Sequence, residues 1–538
     1  MKKLLNWFDK NFLKLALGFL LFFIPLWPKI PLVDIMHTWV YIRAEDFVVL
    51  AVLLIWTILM FFKKVNLKTP LTLPIIIFWI IGAISTIHSI LLIIPSLSNI
   101  YPNLALLNYL RRIEYMSLFF VAYSAMKEKK LIPYIVIVLT VTFLVIFGYG
   151  LGQKFFGFPA FLTMNEEFAK GLGVKLSSQS RISSTFAGHY DLAAYLVLVL
   201  PIFASLIFGF KNRLIKLFLA IILGCGFILL FMTVSRISFF VLLLSFILIL
   251  FFQKKKKIIF LSLFLGALTV VFLLIFSPSL RERFGNTVKE VDVLIDAQTG
   301  EELGHVKEIQ TKSLGEKIIK VVPFQNKGSI TLEIQKEMNQ VQVATTAGLM
   351  PVSLLPAAMP FLLEPSISTG ENLPRGTGYV NLNLSPITQR QTGFLMANPK
   401  TTAKFDQSSI SADFFDFEGD FLIKRALAYD LSFTTRFQGE WPKTIEAFKR
   451  NIFLGSGYSS VGLAVDNNYL RILGETGLLG FFAFFGIFIT FFIYLKKILP
   501  KINDSMEKGF VIGFSAGLFG LALNAILIDV FEASKVAF

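Results

Sequence analysis

Long apolar runs recur along most of this chain and constrain its fold more than any other feature. A membrane-spanning helix needs about 20 consecutive apolar residues, and about 11 stretches meet that length. They lie near residues 12–33, 44–62, 71–94, 106–126, 131–152, 190–209, 214–234, 237–253, 258–277, 468–495 and 509–530. A composition of 55% hydrophobic residues, with 59 phenylalanines, excludes an ordinary soluble domain. The sequence predicts an all-α polytopic membrane protein.

Basic residues lie in the short loops between alternate apolar runs, where they set membrane orientation. These loops contain Lys2-Lys3, Lys63-Lys64, Lys127 to Lys130, Lys211 with Arg213, Lys254 to Lys257, and Lys496-Lys497 with Lys501. All six fall on one side of the lipid bilayer if the N-terminus is cytoplasmic. The pattern predicts a multi-pass protein of the inner (plasma) membrane with a large extracytoplasmic loop.

The positive net charge does not indicate nucleic-acid binding. The chain carries +16 overall, but residues 281–450 hold 19 Lys and Arg against 20 Asp and Glu. The excess therefore lies in the loops beside the membrane, and no nucleic-acid partner is expected.

Three regions follow from these patterns. Residues 1–277 would carry helices one to nine, and 468–538 would carry helices ten and eleven. Residues 278–467 would form an extracytoplasmic loop domain, with a β-rich insert at 286–420 and a helical part at 421–450. The last residues, EASKVAF, look like the start of another apolar run, so a twelfth helix is expected in a complete protein.

Cysteine and histidine usage gives little support for a metal site. Cys225 is the only cysteine, so the chain cannot form an internal disulfide. The four histidines are far apart in sequence and form no pair at metal-ligand spacing. We expect no metal and no other cofactor.

Polar residues at the predicted outer edge of the membrane are the candidate functional residues, because such groups are costly beside lipid. They are Arg111, Arg181, His189, Arg236, Arg436, Asp466 and Asn467. Arginine suits a diphosphate, because its planar fork bonds phosphate oxygens in pairs and keeps its charge. A carboxylate or histidine nearby can accept a proton from a hydroxyl group.

Structural interpretations exist for several of these residues. Asp466 and Asn467 precede an apolar run and are good helix N-caps. Arg236 can extend its side chain to the membrane interface. A lone histidine at a helix start, such as His189, is more often an interfacial hydrogen-bonding residue than a base.

Three segments together resemble the O-antigen ligase and polymerase superfamily of membrane glycosyltransferases, which are GT-C-like. The segments are SRISSTFAGHYDLAAYLVLVLP, TVSRISFFVLLLSF, and WPKTIEAFKRNIFLGSGYSS followed by DNNYLRILGETGLLGFFAFFG. Their order matches the family's arginine segment, serine-arginine turn and large-loop exit. The helix count and the large outer loop between late helices also fit.

The resemblance implies transfer of a glycan from a polyprenyl diphosphate carrier, such as undecaprenyl diphosphate, to a glycan, lipid or protein acceptor. No metal or nucleotide is needed. The catalytic residues would be Arg181 and Arg236 on the diphosphate and Asp466 on the acceptor hydroxyl. Arg436, Arg111, His189 and Asn467 would contact substrate. The family often has histidine before the asparagine of the loop exit, where this chain has Asp466.

Two other classes remain open at this point. One is a transporter or flippase of lipid-linked sugars, which predicts internal repeats and broken polar helices near the bilayer midplane. The other is a membrane-anchored binding or assembly protein in which the insert is the active part. The sequence does not distinguish a ligase from a polymerase, since both use the same donor.

Overall fold

The structure of the protein is a computed structural model. It describes residues 2–35, 41–97, 101–126, 131–163, 169–177, 180–254, 435–462 and 464–538, together with the strands named below. The predicted helix at 258–277 lies outside the described residues. The chain divides into two compact units, one formed by Met1–Val270 with Gly439–Phe538 and the other by Val271–Gln438.

The first unit is built from α-helices. In chain order these are α1 Lys2–Leu26, α2 Ala44–Phe61, α3 Thr72–His88, α4 Pro102–Ala125, α5 Leu131–Leu151, α6 His189–Gly209, α7 Arg213–Thr233, α8 Arg236–Phe252, α9 Trp441–Arg450, α10 Asn468–Ile498, α11 Ser505–Asn524 and α12 Ser534–Ala537. Two short hairpins join neighbouring helices, β1 Pro31–Val33 with β2 Ile42–Arg43, and β3 Pro159–Phe161 with β4 Gly173–Lys175.

Seven helical segments among the described residues are long and apolar enough to cross a membrane. They contain α2, α3, α5, α6, α7, α10 and α11, and the shorter apolar stretches Asn11–Leu26 and Arg236–Phe252 accompany them. This arrangement is that of a multi-pass membrane protein. The count of about 11 spans stays a prediction.

The second unit contains a sheet of seven strands. They are β5 Val288–Asp296, β6 Glu302–Thr311, β7 Lys317–Pro323, β8 Tyr379–Thr388, β9 Thr392–Asn398, β10 Asp413–Glu418 and β11 Phe421–Tyr429. The spatial order is β10-β9-β7-β6-β5-β11-β8. The β7–β9 pairing is parallel and the other pairings are antiparallel.

The segment predicted as helical at 421–450 differs in its first part. Phe421–Tyr429 is strand β11, hydrogen-bonded to β5 on one side and β8 on the other. Helical structure begins with the π-helix Thr435–Glu440 and continues as α9. Pairing on both edges satisfies the backbone groups of β11, and such non-local contacts override the local preference of a short segment.

Helix α6 lies at the centre of the first unit. In an 18-residue apolar stretch of α6, 78% of the residues are buried, whereas the corresponding share in the other six segments is at most 44%. Helix α11 approaches α6 closely through glycines four residues apart, since a Cβ on Gly513 would lie 2.6 Å from the Ile202 Cα. Small residues at this spacing are typical of tight helix contacts in membranes. The contact fixes α6, the helix that begins at His189.

Helix α10 is interrupted about ten residues after its start, at Gly477. Gly477 has φ +62°, outside the helical region. The break leaves backbone groups of α10 without partners in the helix, and the loop at 451–457 provides their hydrogen bonds. The Leu478 N–H donates to the Ile452 carbonyl (2.9 Å), and the Gly457 N–H donates to the Glu475 carbonyl (2.9 Å). The break is therefore satisfied by backbone hydrogen bonds, as a buried helix end requires.

Candidate functional site

Arg181 and His189 form a direct contact at the start of α6. The Arg181 Nη1 atom lies 2.8 Å from the His189 Nε2 atom. A guanidinium group has donors only, so Nε2 is the acceptor and carries no proton, and the neutral ring holds its proton on Nδ1. His189 is 8% exposed. The two residues that the sequence placed at this edge are therefore coupled.

Hydrogen bonds from Gln153 and from the end of α7 hold the loop that carries Arg181. Gln153 accepts from the Ser184 N–H (2.8 Å) and donates to the Ser184 carbonyl (2.9 Å). Ser184 has φ +50°, an uncommon conformation for a residue with a side chain. The Ile182 N–H donates to the Met232 carbonyl (3.2 Å), which places the Arg181 loop beside the end of α7.

Arg236 is the first residue of α8, directly after this end of α7. Val234 makes the turn with φ +56°. Ser235 precedes the helix, and its hydroxyl donates to the Ser238 hydroxyl (2.8 Å) rather than capping the first N–H groups of α8. Arg181 and Arg236 therefore lie on neighbouring segments at the same end of the helices.

The residues before α10 come to this end as well. Asn467 is the N-cap of α10, and its Oδ1 atom accepts from the Tyr469 and Leu470 N–H groups (3.0 Å each). The cap interpretation of Asn467 is therefore confirmed. Asp466 is half-buried and has φ +53°. Its N–H donates to the Asp529 carboxylate (3.0 Å), which fixes the turn.

Two contacts join this turn, through the end of α11, to the helix that carries Arg236. The Asn468 N–H donates to the Ala525 carbonyl (2.9 Å), just after α11. The neighbouring Asn524 donates to the Ser238 hydroxyl (3.0 Å) in the first turn of α8. The segments bearing Arg181, His189, Arg236, Asp466 and Asn467 thus meet at one end of the first unit.

For two of the predicted substrate contacts, the described contacts give no link to this place. Arg111 donates to the Tyr41 carbonyl (3.4 Å), beside β2. Arg436 is buried in the π-helix Thr435–Glu440 and belongs to the second unit. The described contacts therefore link five of the seven candidates.

Sequence reasoning missed a buried ionic cluster between α4, α10 and the segment after α11. Its members are Arg112, Arg471, Glu475, Asp529 and Glu532. Arg471 lies 2.9 Å from Asp529, 3.4 Å from Glu475 and 3.7 Å from Glu532. Arg112 pairs with Glu532 and lies 4.0 Å from Glu475. The spacing of Arg471 and Glu475, four residues apart on one helix, is the signal that could have predicted their pairing.

Asp529 is the member of this cluster that fixes the Asp466 turn. Its Oδ2 atom accepts from the N–H groups of Val465 (2.9 Å) and Asp466 (3.0 Å) and from Arg471. Burial alone would raise the pKa of Asp529, but Arg471 and the two N–H groups outweigh burial and lower it. Asp529 is therefore a stable carboxylate anchor.

A second group of buried charges ties the Arg181 loop to α1 and α2. The Lys535 ammonium donates to the Thr185 carbonyl (2.6 Å) and the Pro25 carbonyl (3.0 Å). Lys29 pairs with Glu45 and also contacts Ser534. Burial lowers the pKa of Lys29, although Glu45 acts in the opposite direction. The loop is thus supported from two directions.

Within the described ranges, no three His, Cys, Asp or Glu side chains form a group that could hold a metal ion. The fold and site together define a multi-pass membrane protein with polar residues gathered at one end of its helices. Comparison with protein-family models and with curated proteins finds no match to this chain.

Proposed function

We propose that this protein is an integral-membrane glycosyltransferase of the O-antigen ligase and polymerase type. It would transfer a glycan from a polyprenyl diphosphate carrier to an acceptor hydroxyl on the outer side of the cytoplasmic membrane, in surface polysaccharide or lipopolysaccharide assembly. The observation that carries the proposal is the meeting of the Arg181 loop, the Arg236 turn and the Asp466 turn at one end of the first unit.

The backbone around the two arginines favours an anionic ligand. Helices α6 and α8 both begin at this end, and no described side chain caps the first N–H groups of either. Helix N-termini attract phosphate through these N–H groups and through the helix dipole. Arg181 and Arg236 add two permanent positive charges, which would hold the diphosphate and stabilise the charge that develops on the leaving group.

Asp466 would position the acceptor hydroxyl and accept its proton. Its backbone is fixed by Asp529, so the point from which its side chain extends is set before substrate binds. The Asn467 amide oxygen is used by the helix cap, so a contact of Asn467 with substrate would come from its amide nitrogen. Arg111 and Arg436 remain second choices for substrate contacts.

The test is transfer by the purified protein in detergent from a polyprenyl-diphosphate-linked oligosaccharide. We expect Arg181→Ala, Arg236→Ala and Asp466→Ala each to lower kcat by about 100-fold or more, the usual effect of losing a charge-stabilising or acid–base group. Arg213→Ala is the matched control, because Arg213 is exposed at the opposite end of α7. Unchanged transfer by Arg236→Ala would refute the assignment.

One observation keeps the transporter alternative in view. The interruption of α10 at Gly477 is the kind of broken helix that transporters use near their binding sites. Reconstituted vesicles with fluorescent lipid-linked sugar separate the two functions: a transporter moves the label across the bilayer without releasing polyprenyl diphosphate. The binding or assembly alternative predicts that the second unit alone retains the activity.

A further inference from the structure

His189 has a defined contact that neither a proton acceptor nor a plain helix start requires. Its Nε2 atom is 2.8 Å from the Arg181 guanidinium. A general base needs an unprotonated nitrogen directed at the reacting hydroxyl. In His189 that nitrogen is directed at Arg181, and the other ring nitrogen carries the proton.

The backbone of the Arg181 loop is already fixed without His189. Gln153 bonds both the N–H and the carbonyl of Ser184. Ile182 is bonded to the end of α7. The remaining freedom of Arg181 is in its long side chain, which has several rotatable bonds and a large conformational entropy.

The His189 ring is itself held in place. It lies at the first position of the buried helix α6, is 8% exposed, and its ring centroid lies 4.1 Å from that of Tyr190. A rigid acceptor beside a flexible donor selects one orientation of the donor.

We propose that His189 is a positioning residue: its unprotonated Nε2 atom fixes the guanidinium of Arg181 toward the diphosphate of the lipid-linked donor. This inference rests on the proposed function for the identity of the ligand. The Arg181–His189 contact itself does not depend on that function.

Three substitutions at His189 separate this role from others. The amide oxygen of glutamine can reach the place of Nε2, whereas that of asparagine is too short and alanine has no acceptor. We expect His189→Gln to keep kcat within about threefold of wild type. His189→Asn and His189→Ala should lower kcat by about 10- to 100-fold, the range for a displaced catalytic group, with a smaller change in KM.

A double-mutant cycle tests whether His189 acts through Arg181. If it does, His189→Ala combined with Arg181→Ala will be no slower than Arg181→Ala alone, because the residue that it positions is gone. Additive losses would overturn the proposal, and so would a loss in His189→Gln as large as that in His189→Ala.

A measurement without turnover keeps the two proposals distinguishable. The chain has four histidines, so the nitrogen spectrum of ¹⁵N-histidine-labelled protein, minus that of His189→Gln, gives the His189 signals. We expect a neutral ring protonated on Nδ1. A proton on Nε2 would overturn the positioning role, whether or not the protein transfers sugar. Absence of transfer by wild type, with the expected spectrum, would refute the enzyme assignment and keep the contact.

Discussion

Arg471 shows how a few residues tie distant segments of this chain together. It contacts the carboxylates of Glu475, Asp529 and Glu532, from its own helix and from the segment after α11. With Arg112, the cluster has two positive groups against three negative ones. Burying unpaired charge is expensive, so these residues stabilise the fold only while the set remains complete.

Replacing Asp529 by asparagine tests this cluster. The amide oxygen can still accept from the Asp466 N–H, but the charge that compensates Arg471 is lost. We expect Asp529→Asn to lower the free energy of unfolding by about 1–3 kcal/mol at pH 7. Thermal unfolding in detergent measures the change, and Glu446→Gln is the control because Glu446 is exposed on α9.

The stability difference between wild type and Asp529→Asn should depend on pH, and the direction of this dependence can be predicted. The folded-state pKa of Asp529 lies below its ordinary value of 3.8. The stability from its charge is complete above that ordinary value and is lost as pH falls through the folded-state pKa. The difference in Tm between wild type and Asp529→Asn should be constant above pH 5 and shrink below pH 4. A difference that grows on acidification would contradict the charge-based account.

Residue types drew attention to the turn of the candidate site but did not predict its contacts. Asp466 and Asn467 stood out because polar groups before an apolar run are either caps or functional residues. The partner that fixes their turn, Asp529, lies 63 residues further along the chain from Asp466. No local pattern connects residues at such a distance, so Asp529, Glu532 and Lys535 were missed.

At the scale of elements, the interruption of α10 joins a loop, two helices and the ionic cluster. The loop at 451–457 bonds to the backbone on both sides of Gly477. It is also held by α3, whose Ser85 hydroxyl donates to the Leu454 carbonyl (2.6 Å), and by Ser89 directly after α3, whose hydroxyl donates to the Ser456 carbonyl (2.5 Å). The part of α10 before Gly477, which carries Arg471 and Glu475, is therefore braced against α3.

Substituting Gly477 tests how far the fold depends on this break. A Cβ at Gly477 would lie 2.4 Å from the carbonyl carbon and oxygen of Phe453, and φ is +62°. We expect Gly477→Ala to destabilise the protein by about 2–4 kcal/mol, from strain and the clash with backbone. The readout is the Tm in detergent.

Gly486→Ala provides the matched control in the same helix. A Cβ at Gly486 meets nothing within 4 Å. Helix propensity alone then makes alanine neutral or stabilising by up to about 1 kcal/mol. Equal Tm values for the two variants would show that the stability of the protein does not depend on a glycine at the break.

Periodicity predicted the helices of the first unit well and their interruptions poorly. The predicted segments at 131–152 and 190–209 match α5 and α6 within one residue at each end. Hydrophobic runs locate membrane-spanning helices because the lipid requires apolar side chains along their length. The break in α10 depends instead on a loop elsewhere in the chain that supplies backbone hydrogen bonds. Strand β11 was misread for the same reason, because its partners lie elsewhere in the chain.

At the scale of the whole molecule, the alternation of basic loops makes a direct prediction of topology. In a Cys225→Ser background, a single cysteine at Lys211, between α6 and α7, should be shielded in intact cells from a membrane-impermeant maleimide. A cysteine at Ala464, exposed just before α10, should be labelled. Permeabilised cells should label both. If only Lys211→Cys is labelled in intact cells, the orientation is the reverse of the predicted one.

The overall class was predictable, whereas the arrangement of the helices was not. Apolar runs near 20 residues identify a multi-pass protein through the thickness of the bilayer alone. They do not show that α6 is the central helix or that α11 packs on it. That arrangement depends on glycines such as Gly513, whose small size matters only beside a particular neighbour.

The pairing of α6 with α11 has a consequence for biogenesis. The Ser505 hydroxyl meets the Gly209 carbonyl across a sequence separation of 296 residues. At about 5–20 residues per second, a ribosome needs roughly 15–60 seconds to make that intervening chain. During this interval α6 is already made while its closest partner does not yet exist. The nascent protein must therefore be protected by the insertion machinery or by lipid, and a chain cut short before α11 would be a natural substrate for membrane quality-control proteases.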